Sequence, residues 1–143
     1  MINKIMAIDF GDKRTGVAIS DPLGIIAQPL DTIISDSAKI VATKVASLAK
    51  DSSVHTIVVG LPKNMDGTLG FRAQKTKTFA EILKTQLEII NHACKITFYD
   101  ERLTTKQATS IMQECGINTK KGKSSVDVLS AVIILEDYLK SIG

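Results

Sequence analysis

The feature that most constrains this chain is a carboxylate placed between two apolar strands. Asp9 ends the first apolar stretch, and a turn bounded by Gly11 and Gly16 leads directly into a second one. Glycine lets a backbone approach a ligand closely because no Cβ stands in the way, and carboxylate oxygen is a ligand that Mg²⁺ prefers. The pattern therefore suits a metal ion that holds a phosphate, although it also suits a β-hairpin in which Asp9 only satisfies the turn.

The composition is typical of one globular domain spanning residues 1–143, with 44% hydrophobic and 23% charged residues. No segment approaches the roughly 18 consecutive apolar residues of a membrane-spanning helix, and the N-terminal residues do not resemble a signal peptide. Cys94 and Cys115 form no ligand-spaced pair and indicate no disulfide framework. We therefore expect a cytoplasmic protein without a membrane partner.

The net charge of +3, from 18 basic and 15 acidic residues, permits nucleic-acid binding without demanding it. The distribution of the basic residues is more informative, since three groups lie in predicted loops or helix starts near glycine-rich turns. Charge runs are usually solvated surface, but these positions favour contacts with phosphate. The groups are Lys13 and Arg14; Arg72, Lys75 and Lys77; and Lys120, Lys121 and Lys123.

Hydrophobic periodicity predicts the element order β-β-β-α-β-α-β-α-α. Three strands separated by short turns, at about 3–10, 15–20 and 26–33, are typical of an antiparallel meander. The later elements are a helix at about 37–50, a strand at about 54–60, a helix at about 71–91, a strand at about 95–99, and helices at about 104–115 and 125–141. The last helix is expected to follow a loop at about 117–123 and to be capped by Ser124. This order predicts an α/β fold in which a mixed five-stranded sheet, a three-stranded antiparallel meander plus two parallel strands, is flanked by helices on both faces.

Further acidic residues are predicted to join Asp9 at one edge of this sheet. The first, fourth and fifth strands should run parallel, and sites form outside the carboxyl ends of such strands. Asp100 and Glu101 both follow the fifth strand, and period-two alternation alone leaves open which of them faces Asp9. Asp127 should lie in the first turn of the last helix, where it either completes the cluster or only compensates the helix dipole.

Three acids at one edge would raise each other's pKa, so we expect one or two divalent cations to neutralise them. Such a site supports two-metal phosphoryl transfer, with the ions about 3.5–4 Å apart. His55 and His92 are expected to be structural or exposed. The segment Asp9–Gly16 also resembles the phosphate hairpin of actin-like ATPases and sugar kinases, but those proteins enclose a nucleotide between two domains, whereas one is predicted here.

Four segments of the chain resemble the signature motifs of one protein family. They are Ala7–Asp21, Val58–Thr68, Asp100–Thr105 and Val126–Ala131. In this order they are similar to the YqgF (RuvX) family of bacterial ribonuclease H-like proteins, whose members are described as Holliday junction resolvases and as nucleases that mature the 5′ end of pre-16S ribosomal RNA. The resemblance covers nearly the whole chain and implies a ribonuclease H-like fold.

The resemblance also implies site residues. It assigns Asp9, Glu101 and Asp127 as the catalytic acids that bind Mg²⁺ or Mn²⁺, and it selects Glu101 over Asp100. Arg102 would either neutralise the scissile phosphate or pair with Asp100. The other residues expected to bind substrate are Gly11, Lys13, Arg14 and Gly16 at the phosphate backbone, Asn64 in the loop on the substrate side, and Arg72 and Lys121.

The expected function is metal-dependent hydrolysis of phosphodiester bonds, with 5′-end maturation of pre-16S rRNA in ribosome biogenesis as the leading substrate. Cleavage of branched DNA by a Holliday junction resolvase is the first alternative, because acidic metal sites cut either backbone. A non-catalytic RNA-binding assembly factor is the second, although the few aromatic residues argue against a platform of stacked bases. A junction cutter should be a stable dimer, but no dimer face is evident in the sequence. We therefore expect a monomer or a weak homodimer.

Overall fold

The computed structural model describes residues 4–62, 70–100 and 119–142, with the side chains of the last helix described from Val128 onward. The predicted helix at about 104–115 lies outside these ranges. Within them, no helix is long and apolar enough to cross a membrane. The elements are β1 (Ile5–Asp9), β2 (Arg14–Ser20), β3 (Ala27–Ile34), α1 (Ala38–Asp51), β4 (Thr56–Leu61), α2 (Phe71–Ile89), β5 (Lys95–Asp100) and α3 (Thr119–Ile142).

In the described part of the chain, five strands form one sheet in the order β3-β2-β1-β4-β5. The pairs β1–β2 and β2–β3 are antiparallel, whereas β1–β4 and β4–β5 are parallel. This arrangement confirms the predicted mixed sheet. It places β1 at the centre, with its carboxyl end at the same edge as the carboxyl ends of β4 and β5.

The helices cover both faces of the sheet because successive strand side chains point to opposite sides. Ile8 packs into a core with Phe79 of α2 and residues of α1. Ala7 packs on the other face against Leu135 of α3. Asp9 follows Ala7 at period two, so it lies on the face that α3 covers.

The N-terminal half of α3 points toward the edge where β1 ends. Near the other end of this helix, Leu139 lines a groove together with residues Gly24, Ile25, Ile26 and Ala27 of the β2–β3 turn. That turn lies at the opposite edge of the sheet, because β2 is antiparallel to β1 and the Ile5 amide donates a hydrogen bond to Ser20 Oγ (2.8 Å). A helix that starts at one edge and ends at the other can therefore carry an early residue to the position of Asp9.

The start of α3 differs from the prediction. The helix begins at Thr119, so the expected start near 125 and the Ser124 cap are wrong. Lysine is a good helix former, and a single interior glycine costs only about 1 kcal/mol, so the lysine-rich stretch around Gly122 continues the helix. Asp127 is consequently the ninth residue of α3 rather than a first-turn residue. Dipole compensation, which is confined to the first turn, therefore no longer accounts for its position.

Candidate active site

Asp9 lies half-buried at the carboxyl end of the central strand, between two glycines. Gly16 of β2 is its direct partner in the antiparallel pair. On the other side, Ile8 pairs with Val59 of β4, and continuing this parallel register by one residue brings Gly60 beside Asp9. The two residues that flank Asp9 directly within the sheet therefore carry no side chain.

The turn from β1 to β2 closes tightly at Gly11. A Cβ atom on Gly11 would overlap the carbonyl oxygen of Arg14, which is backbone and cannot rotate away. The Gly11 amide donates a long hydrogen bond to Oγ1 of the buried Thr15 (3.4 Å). Glycine is thus required here by the closeness of the two backbone segments that follow Asp9.

We expect Gly11→Ala to lower the free energy of unfolding by about 1–3 kcal/mol, because the turn must open to admit the extra carbon. Urea denaturation followed by circular dichroism measures this change. Lys13→Ala is the control, since an exposed side chain in the same turn should change stability by no more than about 0.5 kcal/mol. Equal stability of the two variants would contradict the close contact at Gly11.

Lys13 and Arg14, which were predicted to act together, lie on opposite faces of the sheet. Lys13 lines a groove on the side of α1 and α2. Arg14 alternates with Gly16 and Ala18, and Ala18 packs against α3, so Arg14 shares the face of Asp9. The Nε atom of Arg14 is buried and has no hydrogen-bond partner among the residues that the structure describes.

Arg72, another predicted substrate-binding residue, is held by an acid that the sequence did not single out. Its Nη1 lies 3.2 Å from Oδ2 of Asp12, and Nζ of Lys75 lies 3.2 Å from Oδ1 of the same carboxylate. The hydrogen bond from Lys75 is the main cause that lowers the pKa of Asp12, with a smaller contribution from Arg72 against slight desolvation. All three side chains are about half exposed, so pairs of this kind contribute little stability.

The packing of its neighbours along β5 shows which face of the sheet Asp100 occupies. Tyr99 packs with the core beneath α3, whereas Ile96 packs with the core beneath α1 and α2. Asp100 alternates with Ile96 at period two and therefore lies on the face opposite to Asp9. This excludes Asp100 as a neighbour of Asp9 on the same face of the sheet.

Several predicted site residues cannot be placed. Asn64, Glu101 and Arg102 lie outside the described ranges, and the side chains of Lys121 and Asp127 are not described. Among the residues whose side chains are described, no three of the types His, Cys, Asp and Glu form a group that could hold a metal ion. Of the predicted catalytic acids, the structure thus describes the side chain of Asp9 alone. The sequence did not predict that Gly60 lies beside Asp9, because that position depends on the β1–β4 register.

The fold resembles that of solved Holliday junction resolvases. A Fowlpox virus resolvase in complex with Holliday junction DNA superimposes with a TM-score of 0.60 at 18% identity, covering 99% of each chain. Thermus thermophilus RuvC in complex with a Holliday junction substrate gives a TM-score of 0.55 at 12% identity, covering 99% of this chain and 96% of that one. The chain therefore has a RuvC-like fold, which confirms the predicted ribonuclease H-like fold.

The sequence comparisons identify the family within this class. The family model described as "RuvX: Holliday junction resolvase" matches residues 3–141. A protein of Acetivibrio thermocellus named "Putative pre-16S rRNA nuclease" is 43% identical over 141 residues, covering 98% of this chain and 97% of the relative. A Listeria innocua protein of the same name is 43% identical over 138 residues, with coverages of 95% and 96%. The chain belongs to the RuvX (YqgF) family.

Proposed function

We propose that this protein is a metal-dependent nuclease that hydrolyses phosphodiester bonds in precursor 16S rRNA. The observation that carries the proposal is the position of Asp9, a half-buried carboxylate at the carboxyl end of the central strand with Gly16 opposite it. The names of the relatives support an RNA substrate. We further propose that the protein acts in the cytoplasm, as a monomer or a weak homodimer.

Glu101 and Asp127 are proposed to complete the catalytic centre with Asp9. Glu101 directly follows β5, which is parallel to β4 and ends at the same edge as β1. It comes two residues after Tyr99, which packs on the face of Asp9. Asp127 precedes the buried Ala131 by four residues, the spacing that places two positions on one side of a helix.

The proposed donor set consists of carboxylate oxygens, which suit Mg²⁺ or Mn²⁺. Asp9 fits such an ion, since it is a carboxylate at the carboxyl end of the central strand and its direct neighbours within the sheet are glycines. When one or two ions are bound, they stabilise charge on the phosphate and lower the pKa of attacking water. The protein's own contribution is to hold the carboxylates on rigid strands and helices, so that little reorganisation accompanies the reaction.

Arg14 is proposed to bind the substrate phosphate beside these acids. It shares the face of Asp9, and its buried Nε has no hydrogen-bond partner within the described residues. A phosphate oxygen that accepts a hydrogen bond from this nitrogen would satisfy a buried donor that is unpaired among the described residues, and an unsatisfied buried donor costs about 1–3 kcal/mol. A guanidinium also suits phosphate because its donors are arranged as a fork.

The remaining proposed contacts surround this centre. Gly11 and Gly16 keep the backbone of the turn accessible to phosphate. Arg102 either neutralises the scissile phosphate or pairs with Asp100. Further contacts with the substrate are proposed for Lys13, Asn64, Arg72 and Lys121.

Cleavage of a Holliday junction is the second candidate, supported by the description of the family and by the junction-bound resolvases that share the fold. Parallel assays of a precursor-rRNA leader and a four-way DNA junction, each with Mg²⁺ or Mn²⁺, separate the two. We expect cleavage of the RNA at the 5′ side of the mature 16S sequence and no paired cleavage of the junction. Paired, symmetric cuts in the junction alone would favour the resolvase, and cleavage of neither substrate would contradict both proposals.

A further inference from the structure

An open groove of about 670 Å³ lies between the β1–β2 turn, the start of α1 and the first turns of α2. Phe10 and Ala38 provide apolar wall, and Phe71, Lys13 and Lys75 stand around them. The groove is on the side of α1 and α2, but it reaches the edge of the proposed catalytic centre because Phe10 directly follows Asp9. The groove therefore begins one residue along the chain from the proposed catalytic acid.

Phe71 is the most unusual residue of the groove. It is the first residue of α2 and is 72% exposed, although burying an aromatic ring is strongly favourable. The ammonium of Lys75, one helical turn later, lies 4.7 Å from the centre of its ring, a cation–π contact. The ring is thus held from one side by a cation while most of its surface remains in solvent, as required of a side chain that stacks on a base.

The charges of the groove suit a ligand with few phosphate contacts. Lys75 contacts both Phe71 and Asp12, so its ammonium already lies between an aromatic ring and an anion. A phosphate could replace the Asp12 carboxylate at little cost, because exposed ion pairs contribute little stability. Lys13 adds a second ammonium, whereas Asp12 and Asp36 repel a polyanion. Stacking should therefore contribute more to binding than phosphate contacts do.

We propose that this groove binds an unpaired flank of the nucleic-acid substrate, with Phe71 stacked on a base and Lys13 and Lys75 at the adjacent phosphates. The groove would be part of the substrate-binding surface of the proposed nuclease. The choice of a nucleic acid as its ligand rests on that proposed function. The small number of aromatic residues does not exclude this contact, since a single exposed ring at the edge of the catalytic centre suffices to hold one base.

The sequence contains no tryptophan, so Phe71→Trp introduces a single fluorescent reporter at the proposed stacking position. We expect a short single-stranded RNA, titrated in EDTA to prevent cleavage, to quench this fluorescence. Ile89→Trp is the matched control, because Ile89 is 68% exposed at the other end of the same helix and should not respond. With two phosphate contacts, the RNA-binding constant should depend only weakly on salt. A plot of the logarithm of this constant against the logarithm of the salt concentration should have a slope of about −1.4.

Substitutions at the same position separate stacking from general apolar contact. Phe71→Ala and Phe71→Leu should each weaken binding of the single strand by about 5- to 150-fold, whereas Phe71→Tyr should retain it within about threefold. RNA that binds without quenching the reporter at position 71, equal quenching at position 89, equal quenching by a blunt duplex, or no RNA binding at all would each overturn the proposal.

These measurements are independent of catalysis because they are made without divalent metal. Quenching at position 71 by a protein that cuts neither substrate would support the groove and refute the nuclease. Cleavage by a protein whose reporter does not respond to RNA would refute the groove and leave the nuclease supported.

Discussion

Asp9→Asn is expected to lower the rate of phosphodiester cleavage by about 100- to 1000-fold at saturating Mg²⁺. Asparagine has nearly the size of aspartate but lacks its charge, so the variant loses the proposed metal ligand without creating a cavity. The loss corresponds to about 3–4 kcal/mol of transition-state stabilisation, the scale expected when an ion is no longer held in place. Single-turnover cleavage of the labelled precursor-rRNA leader measures the rate directly.

Asp51→Asn is the control for this experiment, because Asp51 is an exposed acid at the end of α1, far along the chain from the candidate site. It should cut at the wild-type rate, and urea denaturation should show both variants to be folded. A folded Asp9→Asn protein with wild-type activity would refute the catalytic role of Asp9.

Phe79→Ala is expected to lower the free energy of unfolding by about 3–5 kcal/mol. Phe79 is fully buried between the sheet and α1, and its ring stacks on that of Phe10 with centroids 4.3 Å apart and planes 13° from parallel. Truncation would leave a cavity and remove an aromatic pair worth about 0.5–1.5 kcal/mol beyond its buried area. Because Phe10 adjoins Asp9, the same contact fixes the end of the strand that carries the candidate catalytic acid.

Phe71→Ala provides a matched control, since it removes the same side chain from the same helix at an exposed position. Its free energy of unfolding should stay within about 0.5 kcal/mol of wild type. Urea denaturation followed by circular dichroism compares the two variants. A loss in Phe79→Ala as small as that in Phe71→Ala would contradict the burial of Phe79 in the core.

The sheet could be predicted from the sequence because its strands carry strong local signals. Short turns that contain glycine join β1, β2 and β3, and the β-branched run that ends at Gly60 is typical of a buried parallel strand. Those signals were sufficient to place Asp9 at the carboxyl end of a central strand. The start of α3 was not predicted, because glycine and serine near residue 122 suggested a loop, whereas the surrounding lysines are compatible with a helix.

The neighbours of the candidate site residues were harder to predict than the sheet, because they depend on tertiary structure. The position of Gly60 beside Asp9 follows from the β1–β4 register, which no local pattern reveals. The pairing of Asp12 with Arg72 joins residues 60 positions apart. Lys13 and Arg14 look like one basic group in the sequence, yet strand alternation sends them to opposite faces.

The metal dependence of the wild-type protein tests the proposed chemistry most directly. The protein would be treated with EDTA, dialysed, and assayed on the precursor-rRNA leader with increasing concentrations of Mg²⁺ or Mn²⁺. We predict no cleavage without metal, a saturable return of activity as either ion is added, and a return about 100- to 1000-fold lower for Asp9→Asn. Cleavage by the wild-type protein at an undiminished rate in excess EDTA would contradict a metal-dependent nuclease centred on Asp9.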